Sequence, residues 1–365
     1  MNSTLLHLSL VDGLGPVYLN RLIENLNYDQ LDRVYDYTLS DFIERCRIPH
    51  ALAQKVMQGL KDTSHLKQEL ELIDKHAIRI CTIADADYPP SLRLIHMPPP
   101  VLYIKGTLPA NVKGLAIVGS RNAQSYVHRA LKMIIPPLCQ QGWQIVSGGA
   151  LGADTFAHEL TLAHGGITHA VLGAGLLHLY PVSNKKLFAK ILESGGALIT
   201  TFAMNELPHP GNFPARNRVI AGLSKGCLIA QAALKSGARI TANFALEQSK
   251  EIFVIPGPID IPDNEGGHAL IKQGAQLVTS AEDILQEFGE FKTLTQKIIP
   301  SDIYEENQPN MSAGDEILLL CTFPVSTEHL VESTNLSLFD LQVRLFDLQI
   351  EGKITQDLSG LWCRV

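Results

Sequence analysis

Residues 208–224, PHPGNFPARNRVIAGLS, set an aromatic ring beside two guanidinium groups on a segment stiffened by Pro208, Pro210 and Pro214. Proline restricts the backbone, so Phe213, Arg216, Asn217 and Arg218 are presented in few conformations. An aromatic face can stack on a base, and guanidinium groups grip phosphate oxygens in pairs. That is chemistry for a nucleic-acid strand. Read as an extended run, the segment points Arg216 and Arg218 to the same side, two residues apart. Phe213 has two readings, a stacking platform or a plug for the core beneath it.

Three glycine turns offer a second kind of chemistry. Gly119-Ser120-Arg121, Ser147-Gly148-Gly149 and Gly173-Ala174-Gly175 each close a short apolar run, where bare backbone N–H groups can meet an anion. Each alone also fits a plain tight turn. Together, at one edge of a sheet, they predict an anion-binding rim, with Ser236, Gly237 and Thr241 adding donors from the opposite lip. The G-x-G-x-x-G of a dinucleotide site is missing at 119–124, and an arginine stands in the turn instead.

Charge sharpens the choice of ligand. The chain carries a net charge of −7, which speaks against a nucleic-acid binder, yet residues 181–250 reverse the balance. There Lys185, Lys186, Lys190, Arg216, Arg218, Lys225, Lys235, Arg239 and Lys250 outnumber Glu193, Glu206 and Glu247. A local basic cluster in an acidic chain is the footprint of a polyanion site, against the plainer reading of a solvated charged face. Enzyme signatures are lacking: there is no H-E-x-x-H, Walker or G-x-S-x-G sequence. Asp154 and His158 share a helix face, but the expectation is a capping carboxylate and a packed histidine. Six cysteines without C-x-x-C spacing call for neither a metal nor a disulfide framework, and no cofactor is expected.

The elements that must position these groups alternate. LAIVGS, QIVSGG, HAVLGAG, ALITTF, GCLIAQAA and EIFVIPG read as short buried strands, with helices at 125–140, 153–164 and 185–194 between several of them. This predicts an α/β domain over 76–290 with a mostly parallel sheet covered on both faces. A strand, a Pro-rich bend and a second strand over 78–106 extend it at its start. Residues 1–75 are helical in pattern; Gly13-Leu14-Gly15-Pro16 suits a helix–hairpin–helix turn or a small interaction domain. Residues 291–314 form a polar linker, and 315–365 read as three helices and a hairpin, a winged helix. Its eight acidic and three basic side chains, with Arg344 alone on the recognition helix, favour a protein contact over DNA. No apolar run reaches the length of a membrane span and no signal sequence opens the chain, so a cytoplasmic protein is expected, with no membrane partner.

The motifs IVGSRN, SGGALGADTFAH, AVLGAGLLHLYP, NFPARNRVIAGLS, SGARITANFALEQSKEIFVIPG and GGHALIKQGAQLV resemble, in order and spacing over 78–290, those of the DNA-processing protein A (DprA/Smf) family. The resemblance implies an extended Rossmann-like central domain, often flanked by a helical N-terminal domain and a C-terminal winged helix. It implies a homodimeric bacterial protein that binds single-stranded DNA in natural transformation, protects incoming strands and helps load the RecA recombinase. No catalytic reaction goes with it. Carried over by motif, the DNA-contact candidates are Gly119, Ser120, Arg121, Phe213, Arg216, Asn217 and Arg218, with Lys185 and Lys186 after the LYP segment. Gln231 stands where the family usually has an acidic residue. A different outcome on a similar fold would be a nucleotide-hydrolysing enzyme of the lysine-decarboxylase-like group. Its P-G-G-x-G-T-x-x-E is not reproduced by KSGARITANFALEQ.

Overall fold

The computed structural model describes residues 3–26, 28–290, 317–318, 320–321, 325, 327–334, 336–356 and 362–364. The chain divides into two compact units, Met1–Phe291 and Lys292–Val365.

The first unit opens with five helices, α1 (Ser3–Ser9), α2 (Pro16–Leu26), α3 (Leu39–Glu44), α4 (His50–Lys61) and α5 (Ser64–Lys75). The turn between α1 and α2 holds Gly13 at φ +83°, a conformation open to glycine at little cost. Leu5, Leu6, Leu8, Leu22, Phe42 and Val56 are buried in a core shared with the sheet that follows. Polar contacts tie the helices to that sheet as well. The Met204 N–H donates to the carboxylate of buried Glu69 at 2.7 Å, and Asn20 donates to the Pro98 carbonyl at 3.1 Å.

Next in chain order come β1 (Arg79–Thr82), α6 (Pro90–Arg93), β2 (Val101–Gly106), β3 (Gly114–Gly119), α7 (Ser125–Gln140), β4 (Gln144–Ser147), α8 (Ala153–Ala163) and β5 (Thr168–Val171). They are followed by α9 (Lys185–Glu193), β6 (Ala197–Thr200), α10 (Asn212–Gly222), β7 (Gly226–Gln231), α11 (Gly237–Glu247) and β8 (Glu251–Val254). The unit ends with α12 (Glu265–Lys272), β9 (Gln276–Leu277) and α13 (Ala281–Glu287). The nine strands make one sheet in the order β1-β2-β6-β5-β4-β3-β7-β8-β9. From β6 to β9 neighbours are parallel, and β1 and β2 add an antiparallel edge. The α/β class with a central, mostly parallel sheet is thus observed, and each predicted strand is present.

Alternation along β3 explains the two-sided cover. Leu115 and Ile117 join Val127, Leu131 and Ala157 of α7 and α8 in one core. Ala116 and Val118 face the other way, into the core that holds Val219, Ile220 and Ala242 of α10 and α11. Strand order reverses at β3: β4 to β6 lie on one side and β7 to β9 on the other. In such sheets the crevice at the carboxyl end of this switch point is where ligands bind.

One local expectation is overturned. The FPARNR run is not extended but lies inside α10. At ~100° per residue, Arg216 and Arg218 point to nearly opposite sides of that helix.

The second unit contains α14 (Thr327–Thr334), α15 (Leu338–Ile350) and an antiparallel pair, β10 (Ile354–Gln356) with β11 (Trp362–Arg364). Residues 317, 318 and 320 are also helical. Ile317, Cys321, Leu330, Leu341, Leu345, Leu348 and Ile354 form its core. The linker expected at 291–314 and residues 357–361 lie outside the described residues.

Candidate nucleic-acid interface

A cleft of about 750 Å³ opens where β3 and β7 end. Gly119, Ser120 and Arg121 border it from β3, and Phe213, Arg216 and Asn217 from the first turns of α10. Lys235, Ser236, Gly237 and Thr241 close it from the start of α11. The fold therefore gathers the first glycine turn, the FPARN run and the opposite lip around one space.

Close packing shapes the β3 turn. A Cβ on Gly119 would stand 2.6 Å from the Ala153 Cβ, so this glycine lets α8 approach the strand. The Ala153 N–H donates to the Ser120 carbonyl at 3.1 Å, and the Asn122 N–H donates to Ser120 Oγ at 3.2 Å. The turn is held from two sides, while Arg121 projects exposed over the cleft.

Arg216 is the buried centre of the site, 6 % exposed. Its Nη1 donates to the carbonyls of Gly148 and Val171, the latter at 2.7 Å, which joins α10 to the ends of β4 and β5. Its Nε donates to Asn217 Oδ1 at 3.0 Å. Burial pulls its guanidinium down to about 10; nearby Asp154 opposes that shift and Arg121 adds to it. Asp154 accepts the N–H groups of Gly148 at 3.1 Å and Ala150 at 3.2 Å from the first turn of α8. Burial pushes the Asp154 carboxyl above its usual range, with Arg216 and those two N–H groups pulling back. It does not cap α8, whose N-cap is Gly152; it ties down the loop that precedes the helix instead. His158 is fully buried, with Nδ1 2.7 Å from the Thr168 hydroxyl, as a packed histidine should be.

Phe213 is half-buried at the mouth. The guanidinium carbons of Arg121 and Arg216 lie 5.3 Å and 5.7 Å from its ring centroid, and the Tyr180 ring lies 6.2 Å away. A Cβ on Gly173 would come to 2.8 Å from Phe213 Cδ1, so this glycine makes room for the ring. The arrangement holds two cations and an aromatic pair against one another.

The other predicted residues fall elsewhere. Ser147 is fully buried and donates its hydroxyl to the Ile117 carbonyl at 2.6 Å, so it fastens β4 to β3 and has no free donor for a rim. Gly148 lies beneath the cleft, where a Cβ would meet Asp154 Oδ2 at 2.7 Å. Gly175 packs against the backbone of Ala203 and Met204. Lys185 and Lys186 are exposed at the start of α9 and do not line the cleft. Arg218, on the far side of α10, is pulled below the usual arginine range by burial while Tyr88 opposes.

Several lining residues escaped sequence reasoning. Tyr180 is 47 % exposed beside Phe213, and Ile240 and Asp263 also line the wall, alongside Pro208 and Pro210 of the stiffened segment. Lys235 had a signal, its place in the basic cluster, but nothing in its spacing singled it out. Gln231 bridges the wall behind, with Oε1 accepting from the Gln124 N–H at 3.4 Å and Nε2 donating to Asn264 at 3.0 Å. These neutral bonds stand where the resemblance led one to expect an acid.

The family model for DNA recombination-mediator protein A matches residues 79–289. Protein Smf of Escherichia coli strain K12 is 46% identical over 210 residues, a match that spans 56% of this chain and 56% of that protein. Among solved structures, DNA processing protein A from Streptococcus pneumoniae superposes with a TM-score of 0.69 at 32% identity, covering 79% of this chain and 98% of that one. The protein of that name from Helicobacter pylori, described for its single-stranded DNA binding mode, gives a TM-score of 0.53 at 28% identity, over 59% of this chain and 98% of that one. The matched span holds the whole sheet from β1 to β9 and every residue lining the cleft, and by it the chain belongs to the DNA recombination-mediator protein A family.

Proposed function

We propose that the chain is a single-stranded DNA-binding recombination mediator whose strand runs through the cleft at the β3–β7 switch point. The observation that carries this reading is the meeting of Arg121, Lys235, the aromatic pair Phe213–Tyr180 and the α11 amino terminus around one open space. Phosphates would rest on Arg121, Lys235 and the free N–H groups of α11, where the helix dipole also favours an anion. Bases would meet the exposed ring of Tyr180, since aromatic stacking tolerates any base. The single-stranded DNA binding of the Helicobacter pylori relative supports the ligand.

For the finer role we infer protection of incoming DNA in natural transformation and help in loading RecA, by a cytoplasmic homodimer and without catalysis; membership of the family supports this reading. Among the described residues no helix is long and apolar enough to cross a membrane. A hydrolytic reading has less support, because the KSGARITANFALEQ stretch offers no glutamate at the offset that chemistry needs. Fluorescence anisotropy with labelled oligothymidylate across a salt series tests the proposal. Affinity should fall with salt and be weaker for duplex. Full affinity in an Arg121→Ala, Lys235→Ala double variant would refute it.

A further inference from the structure

The helix α15 has two apolar faces, and among the described residues its own unit covers only one of them. Leu341, Leu345 and Leu348 point into the core beside Ile317, Leu330 and Ile354. On the other side Phe339, Val343, Phe346 and Ile350 are 74 %, 46 %, 63 % and 70 % exposed. Their spacing of four, three and four residues makes one continuous row along the helix. Single exposed apolar side chains are ordinary, but two phenylalanines in a row with two aliphatic neighbours mark a contact surface.

The flanks of the row differ. By helical spacing Asp340, Arg344, Asp347 and Glu351 run along one edge, three carboxylates to one guanidinium, and Gln342 and Gln349 along the other, all exposed. Asp340 is tied to the Ser337 hydroxyl at 2.5 Å and Glu351 to Lys353 at 2.7 Å, whereas Asp347 lies between them on the same acidic edge. This is the helix on which a DNA reader would carry lysines and arginines. Here it carries hydrophobic anchors and a border on which Arg344 is the one cation among three carboxylates.

We propose that this face of α15 is a docking surface for a protein partner that presents an apolar helix flanked on one side by lysine or arginine. Charge chooses between that occupant and a second copy of the chain. Two copies paired along the row would set the acidic edge against Gln342 and Gln349 if parallel, or against its own copy if antiparallel, and bring together two units whose residues 315–365 each carry eight acidic and three basic side chains. A basic-flanked partner instead buries the aromatic row while meeting Asp340 and Asp347, Glu351 being already paired with Lys353. The surface lies outside the DNA cleft's residues, so its failure would leave the DNA-binding reading standing.

The test uses the full-length protein and two synthetic amphipathic helical peptides, identical but for lysines or glutamates along one flank. The lysine peptide should bind, with affinity that falls as salt rises, and the glutamate peptide should bind roughly tenfold more weakly or worse. Phe346→Ser and Phe339→Ser, both at exposed positions, should keep the thermal unfolding midpoint and the affinity for oligothymidylate yet lose roughly tenfold or more of the lysine-peptide affinity. Asp347→Lys should narrow or reverse the preference between the peptides. Equal binding of the two peptides, or unchanged binding by Phe346→Ser, overturns the proposal. So does self-association in sedimentation velocity that Phe346→Ser abolishes, because the occupant would then be a second copy.

Discussion

Arg216 lies under the Phe213 ring, its guanidinium carbon 5.7 Å from the centroid, while its Nη1 donates to the Val171 carbonyl at 2.7 Å. One side chain thus joins the aromatic mouth of the cleft to the ends of two strands. Arg121 covers the same ring at 5.3 Å but is exposed to solvent. The two arginines have comparable chemistry and different burdens.

Replacing them should separate those burdens. Arg216→Ala leaves Asp154 buried without its cationic neighbour and frees the carbonyls of Gly148 and Val171. Leaving buried polar groups without partners costs about 1–3 kcal/mol each, so the thermal midpoint should drop by several degrees. Arg121→Ala removes an exposed charge, should unfold like the parent, and should weaken oligothymidylate binding roughly tenfold, the worth of one charge-assisted contact. Calorimetry and anisotropy on both variants check the split. An unstable Arg121→Ala would show that this exposed side chain carries a structural load.

Phe213 should act through Arg121. Its ring is flanked by two guanidinium groups and backed by Gly173, which leaves little open face for a base. Phe213→Leu should therefore lower DNA affinity by letting Arg121 wander. Adding Arg121→Ala to it should lower affinity little further, since neighbours that act as a unit are non-additive. Tyr180→Ala should behave otherwise. That exposed ring should contribute about 1–3 kcal/mol of base stacking, additive with Arg121→Ala. A double-mutant cycle by anisotropy reads both couplings, and additivity of Phe213→Leu with Arg121→Ala would defeat the orienting role.

The sheet was legible because its strands are buried on both faces and end in glycine or proline, as LAIVGS and EIFVIPG do. The cleft was half legible. Gly119–Arg121 and Ser236–Gly237 were found because chain reversals at strand ends and helix starts leave local marks in sequence. The state of the FPARNR run was not found. Three prolines suggested a stiff loop, yet Pro214 falls in the first turn of α10, where a proline lacks no needed N–H. Ser147 was misjudged for a different reason. Burial is a tertiary property, and the sequence cannot tell a hydroxyl that faces solvent from one that donates to Ile117 across a strand. Tyr180 was overlooked because its partner Phe213 is 33 positions away and only the fold brings the rings together.

Acid should unfold the first unit through two histidines. His158 and His169 are both fully buried, and burial depresses them to about 3 and about 4 from an ordinary value of 6.5. The unfolded chain therefore takes up these protons at a pH where the folded chain does not. Their contribution to stability is complete above pH 6.5 and falls as pH drops from there toward 4. Urea midpoints should decline over that interval. His169→Gln removes one of the two titrating groups and should flatten the decline, even if it lowers the midpoint at neutral pH. A slope equal to the parent's would exclude His169 as a source.

Removal of residues 300–365 should leave DNA binding intact. The residues lining the cleft all belong to the Met1–Phe291 unit, which has its own core, so the truncated chain keeps every proposed contact. The removed segment includes the acidic second unit, which would repel phosphate more than attract it. Affinity for oligothymidylate should stay within about twofold at moderate salt and rise slightly at low salt, where long-range repulsion is least screened. Binding of the lysine-flanked peptide should vanish in the same protein, because α15 is gone. Loss of DNA binding on truncation would mean that the second unit contacts the strand despite its charge, and the cleft would then be only part of the site.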